Sequence, residues 1–169
     1  MKYIKLFLFF IFLLFNSCII PSDSMKTYIN QSNHEGMIVG TICIENKRFD
    51  GYYFKFYNEI STGDFIYSDE IKILGSNSDH KIGKNKYYLF SIVKPKGNYK
   101  FSEIVLFLNT GYMQSTRSAE ISLPFEIKEN EINYLGEIKL NTRKGIFELN
   151  NQIERDRKWF KEKFPQINF

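Results

Sequence analysis

Apolar and polar residues change their order twice along the chain. Residues 6–15 form an unbroken apolar run, and residues 19–36 are polar without periodicity. From Met37 onward, apolar positions recur every second residue over short stretches, the period of a half-buried strand. "GMIVGTICI" places Ile38, Gly40, Ile42 and Ile44 on one face, and "YYFKFYN" does the same for Tyr52, Phe54 and Phe56. "EIKIL" offers Ile71 and Ile73, and "YYLFSIV" covers residues 87–93. "SEIVLFL" is continuously apolar, which predicts a strand buried on both faces or a short span of unreadable phase. "AEISLPFEI" alternates as Ala119, Ile121, Leu123, Phe125 and Ile127. Pro124 points the other way and donates no ladder hydrogen bond, so that strand is expected at a sheet edge or a bulge. "EINYLGEIKL" places Ile132, Tyr134, Gly136, Ile138 and Leu140 on one face, and the short polar "KEN" before it predicts a hairpin. "GIFEL" gives a last strand.

The period then lengthens. "NNQIERDRKWFKEKF" carries Ile153, Phe160 and Phe164 in a helical stripe with Trp159 alongside. Asn150 or Asn151 is a candidate cap, and Pro165 a stop. Packing of this helix on the strands is expected. Interleaved Glu154, Asp156 and Glu162 leave it only mildly basic, which disfavours a membrane-surface helix.

The N-terminal apolar run has ten residues, half of the roughly 20 needed to span a bilayer. Lys2 and Lys5 precede it, and Ser17 and Cys18 follow it, in the pattern of an exported chain's signal. "LFNSC", residues 14–18, resembles the lipobox of bacterial lipoproteins. Ser17 fits the position before the cysteine; Phe15 stands where leucine is usual, a relaxed form similar to that of spirochaetes. The resemblance implies cleavage before Cys18 and acylation of its thiol and freed amine. A buried N-terminal helix or an uncleaved anchor would leave Lys2, Lys5, Ser17 and Cys18 without a common explanation. The expected organisation is a signal peptide over 1–17, a lipidated flexible tether over 18–36, strands over 37–149, and a helix with its tail over 150–169.

Composition adds less. The 17 phenylalanines and 11 tyrosines favour strands over helices. The formal charge of +4 falls towards neutrality once Lys2 and Lys5 are removed, so no nucleic-acid footprint is visible. With Cys18 acylated, Cys43 is left without a disulfide partner. It lies in an apolar strand with no adjoining histidine or basic cluster, which suits a small core residue better than a reactive thiol.

Candidate chemistry is sparse. His34 belongs to the expected tether, and His80 in "GSNSDHKIGKNK" to an expected loop; Asp79 beside it does not make a metal site alone. Asp64, Asp69 and Glu70 in "GDFIYSDE" could serve acid–base work only if the fold gathered them in a cleft, and surface turns explain them better. No metal-protease motif, phosphate loop or nucleophile elbow is present in the sequence. Exposed tyrosines could form a platform for sugar or protein.

"IVKPKGNYKF" has Pro95 interrupting a strand, Gly97 suited to a turn, and Tyr99 and Phe101 on one side of the next strand. It resembles the Leu-Pro-Pro-Gly-x-Tyr turn of prealbumin-like sandwiches such as carboxypeptidase regulatory-like domains; Lys96 replaces the second proline. "LPFEIKENEINYLGEIKL" and "DRKWFKEKFP" resemble the closing strands and terminal helix of small bacterial envelope lipoproteins. The resemblance implies an all-β, single prealbumin-like sandwich of about seven to eight strands with one C-terminal helix. It implies no catalytic residue, cofactor or metal. The expectation is a non-catalytic binding or structural module of the bacterial envelope, attached to membrane lipid through acylated Cys18. A carbohydrate- or host-ligand-binding lipoprotein is the alternative, and a hydrolase the least favoured. Expected partners are an envelope protein or glycan, with no nucleic acid. Ile19, in place of the aspartate that retains enteric lipoproteins at the inner membrane, favours the outer one.

Overall fold

The computed structural model describes residues 34–74 and 77–169. The expected signal peptide, the lipidation site Cys18 and most of the expected tether lie outside the described residues. Among the described residues there are nine strands and one helix: β1 (Glu35–Glu45), β2 (Gly51–Glu59), β3 (Phe65–Leu74), β4 (His80–Ile82), β5 (Asn85–Pro95), β6 (Gly97–Asn109), β7 (Gln114–Ile127), β8 (Ile132–Asn141), β9 (Ile146–Asn150) and α1 (Ile153–Lys163). They form an all-β sandwich. One sheet has the order β4-β5-β1-β8-β9 and the other β3-β2-β6-β7. β1 runs antiparallel to β5 and parallel to β8.

The period-2 alternation explains the main core. Ile38, Ile42 and Ile44 of β1 meet Tyr52, Phe54 and Phe56 of β2, together with Ile71, Ile73, Phe90, Phe101 and Phe125. Burying each such side chain contributes about 1.5–3 kcal/mol. The other face of the five-stranded sheet is also covered. Met37, Val39 and Leu89 pack there against Phe160 and Ile167 in a second, smaller core. The central strands β1 and β5 are therefore apolar on both faces, whereas β2, β3 and β6 alternate.

Several expectations need correction. "SEIVLFL" is not buried on both faces: Ile104 is buried and Leu106 packs on the core, but Val105, Phe107 and Leu108 are only half-buried. α1 packs on the other sheet, so the helix does not cover this face. β7 and β8 form no hairpin, because they belong to different sheets. Residues 128–131 carry the chain across, with Asn130 at φ +58° and its N–H donated to Glu35 O at 2.8 Å. β8 does not keep one face throughout. Val39 pairs with Tyr134 and Gly40 with Gly136, so Leu135 is an extra residue that flips the alternation. Ile132 and Tyr134 consequently pack on the helix side, Ile138 and Leu140 in the sandwich core. β1 begins at Glu35, inside the expected tether. The additional short strand β4 brings the count above the expected one. α1 starts after Gln152, not after Asn150 or Asn151, although Asn151 Oδ1 accepts the Ile153 N–H at 3.1 Å.

Other features agree with the pattern. β7, with Pro124, is a sheet edge. At the Pro95–Tyr99 stretch the chain passes from β5 in one sheet to β6 in the other. Tyr99, buried, donates its hydroxyl to Pro95 O at 2.8 Å and ties that corner.

The sandwich has two distinct poles. At the near pole are the start of β1, the Pro95 corner and the crossing at 128–131. At the far pole are the loop at 46–50 and the turns β4–β5, β6–β7 and β8–β9. The 11 residues of β1 separate them by about 35 Å.

Candidate ligand groove

The sequence candidates are dispersed or already committed to structure. Asp64 Oδ2 accepts the Thr62 hydroxyl in the β2–β3 turn. Asp69 pairs with Lys94 at 3.0 Å and Glu70 with Lys72 at 3.4 Å, so these carboxylates neutralise neighbours and do not face one another across a cleft. His34, exposed at the near pole, lies 3.1 Å from Glu129. Among the described residues, no three or more of His, Cys, Asp and Glu gather where they could hold a metal ion.

His80 lies in β4, not in a loop, and stacks flat on Trp159 of α1 at 4.3 Å between ring centroids. Burial, then the charge of Lys163, lowers its pKa below the ordinary value. Asp79 accepts the Leu89 N–H at 2.9 Å and the Lys163 ammonium at 2.9 Å. Both residues hold the end of α1. Its start is held by Tyr134, which donates to the fully buried Asp156 at 2.6 Å. Arg155 bridges Asp156 and Glu137 and lies over the Tyr87 and Trp159 rings. Glu137 Oε2 sits 2.7 Å from the guanidinium without a well-aligned hydrogen bond. Cys43 is 1% exposed beside this cluster, and burial, then the charge of Glu137, pushes its thiol up to about 11. A protonated, covered thiol is a poor nucleophile. This region is a clamp between helix and sheet.

The open chemistry is at the far pole. The 46–50 loop and the β4–β5 hairpin enclose a depression of about 680 Å³, lined by Lys47, Arg48, Lys81, Lys84 and Lys86 with one carboxylate, Asp50. The loop is firmly built. The buried Tyr52 accepts the N–H groups of Arg48 and Phe49 at 3.1 and 3.2 Å through its hydroxyl oxygen. Asp50 donates its N–H to Phe107 O at 2.9 Å and accepts the Asn109 N–H at 2.7 Å. Asn46 at φ +49° and Gly83 at φ +60° turn the two segments. Phe49 adds an aromatic ring to the lining and packs edge-on against Tyr52, 6.0 Å between centroids. Burial, and next to it the charge of Lys86, holds the Lys47 ammonium below the ordinary lysine range. Sequence reasoning missed this groove because its cations come from two separated segments. "NKR" and "KIGKNK", two basic turns poor in acidic residues, were the available signal.

A second depression of about 190 Å³ opens between the sandwich edges, lined by Leu106, Ile121, Leu140 and Phe147 among others. It continues the core and gathers no titratable group beyond Glu120.

No protein-family model matches the chain, and no curated protein is similar to it. Among solved structures it is similar to a leucine-rich repeat protein from Bacteroides thetaiotaomicron, 10% identical over 66% of this chain, with a TM-score of 0.43. This chain spans 14% of that protein's length. So slight a likeness carries no argument. Fold and groove define the class: an all-β sandwich with a helix on one face and a cationic depression at one pole.

Proposed function

We propose that the protein is a non-catalytic binding module of the bacterial envelope, prealbumin-like in fold and anchored to membrane lipid by acylated Cys18. The observation that carries this reading is the placement of β1. The chain enters the sandwich at Glu35 on the near pole, and the groove lies at the opposite end of the same strand. An anchor N-terminal to Glu35 leaves the groove as the part of the domain farthest from its point of attachment. The residues support the anchor itself: Lys2 and Lys5, the apolar run, Ser17 and Cys18. Several acyl chains hold a protein stably where one is marginal. Ile19 after the cysteine favours the outer membrane.

Metabolic labelling with a palmitate analogue tests the anchor. Wild-type protein takes up label and fractionates with membranes. Cys18→Ala loses the label and accumulates as unprocessed precursor. Equal labelling of the two would overturn the reading.

A further inference from the structure

We propose that the far-pole groove binds an anionic polysaccharide, whose sulfate or carboxylate groups pair with Arg48, Lys81 and Lys84 flanked by Lys47 and Lys86. The first argument is charge placement. With Lys2 and Lys5 removed along with the expected signal peptide, the chain has 21 basic and 19 acidic residues, and setting aside the five cations and one carboxylate of the lining leaves 16 basic and 18 acidic. The lining's excess of four positive charges (5 − 1) thus exceeds the net +2 (21 − 19) of that chain, and the rest is slightly acidic. Several lysines elsewhere are paired: Lys55 with Glu103, Lys94 with Asp69, Lys139 with Glu45 and Lys163 with Asp79. Among the described residues, the side chains of Arg48, Lys81 and Lys84 have no acidic partner. Like charges crowded on two adjacent turns repel, and a bound polyanion relieves that cost.

The second argument is preorganisation. Three backbone N–H groups of the 46–50 loop are fixed by Tyr52 and by Phe107 O, and the Asp50 side chain is held by Asn109. The side chains therefore start from a fixed backbone, which lowers the entropy lost on binding. The depression is shallow and open, about 680 Å³, which leaves room for a few sugar units laid across it. Phe49 offers an apolar surface beside the cations. A nucleic acid would call for a longer basic stripe than this lining provides. A headgroup of the anchoring membrane would have to reach the pole opposite Glu35. The choice of a polysaccharide rests on the envelope reading above; the anion site itself does not.

The test uses the full-length chain in neutral detergent, with a fluorescent heparin-derived hexasaccharide as probe. Neutral dextran, a single-stranded DNA oligonucleotide and mixed micelles of phosphatidylglycerol in the same detergent are the competitors. The expected result is binding that weakens with salt and is not displaced by dextran. Lys81→Glu/Lys84→Glu should weaken it by about tenfold or more with an unchanged melting temperature. Lys158→Glu/Lys161→Glu on the exposed side of α1 should leave it as it is. No binding, or equal loss in both variants, would overturn the proposal. So would DNA or phosphatidylglycerol micelles binding more tightly than the hexasaccharide through Lys81 and Lys84. Labelling of Cys18 in the same preparations separates the two readings. Acylated protein that does not bind overturns the groove alone, and unacylated protein that binds overturns the anchor alone.

Discussion

Cys43 and Gly40 sit three residues apart in β1 and face opposite layers. The Cys43 thiol is raised from 9.0 to about 11, chiefly by burial. A shift of that size corresponds to a few kcal/mol of preference for the protonated thiol in the folded state. The folded state holds the proton more tightly than the unfolded state. The stabilisation is therefore complete below pH 9 and is lost as pH rises through about 11. Urea unfolding should show stability falling over that window in the wild type and falling less steeply in Cys43→Ala; parallel curves would refute the assignment. In the folded protein at neutral pH the thiol should also resist iodoacetamide. Gly40 is fixed by contact. A Cβ there would lie 2.6 Å from Gly136 O and 2.7 Å from the Phe90 ring. Gly40→Ala should cost about 1–3 kcal/mol or more by overpacking. Adding Phe90→Leu should restore part of that loss, since the Gly136 carbonyl still obstructs. A melting temperature unchanged in the single variant would contradict the packing described. The facing of both residues follows from the alternation "GMIVGTICI". The bulge partner Gly136 was not legible, because an unbroken alternation in "EINYLGEIKL" hides the extra residue that flips it.

Elements are joined by a few hydroxyl ties whose strengths differ for a physical reason. Tyr99 donates to a backbone carbonyl at the sheet-to-sheet corner, and Tyr134 donates to the buried carboxylate of Asp156 under α1. A bond between neutral groups contributes about 1 kcal/mol, and one to a charged group about 1.5–3. Tyr99→Phe should therefore be the milder change and Tyr134→Phe the more severe, as read by chemical denaturation. The reverse order would mean that Arg155 alone satisfies Asp156. Local turn chemistry made the turn at the first tie legible, since Pro95, Gly97 and Tyr99 lie within five residues, but not the hydroxyl bond itself. The second joins residues 22 positions apart, on a strand whose facing was misread. The β7–β8 crossing was misread for a related reason. A short polar turn between two alternating strands fits a hairpin within one sheet and a step between two sheets equally well. Where the chain goes next depends on long-range pairing, here β8 beside β1.

At the scale of the molecule, the strand pattern made an all-β fold legible, the resemblance pointed to a sandwich, and the groove stayed hidden because it is assembled from two loops with no common periodicity. The same distinction applies to cooperativity. Two cores share the backbone of β1, β5 and β8: the sandwich core on one side and the helix layer on the other. Phe160 is fully buried in the smaller core, against Met37, Val39 and Leu89. Phe160→Ala should cost about 3–5 kcal/mol, a large part of the 5–15 kcal/mol that stabilises a typical domain. The chain has one tryptophan, Trp159, and it lies on α1 between His80, Tyr87 and Arg155. Its fluorescence therefore reports the helix layer, while far-ultraviolet circular dichroism reports mainly the strands. Removing α1 would leave the Met37, Val39 and Leu89 face of three central strands open to water. The two signals should therefore move together in urea, in the wild type and at a lower midpoint in Phe160→Ala. A tryptophan transition that precedes the strand transition would show a helix layer that detaches by itself. The clamp of Asp79, Tyr134 and Arg155 would then hold a separate unit on the sheet rather than complete its core.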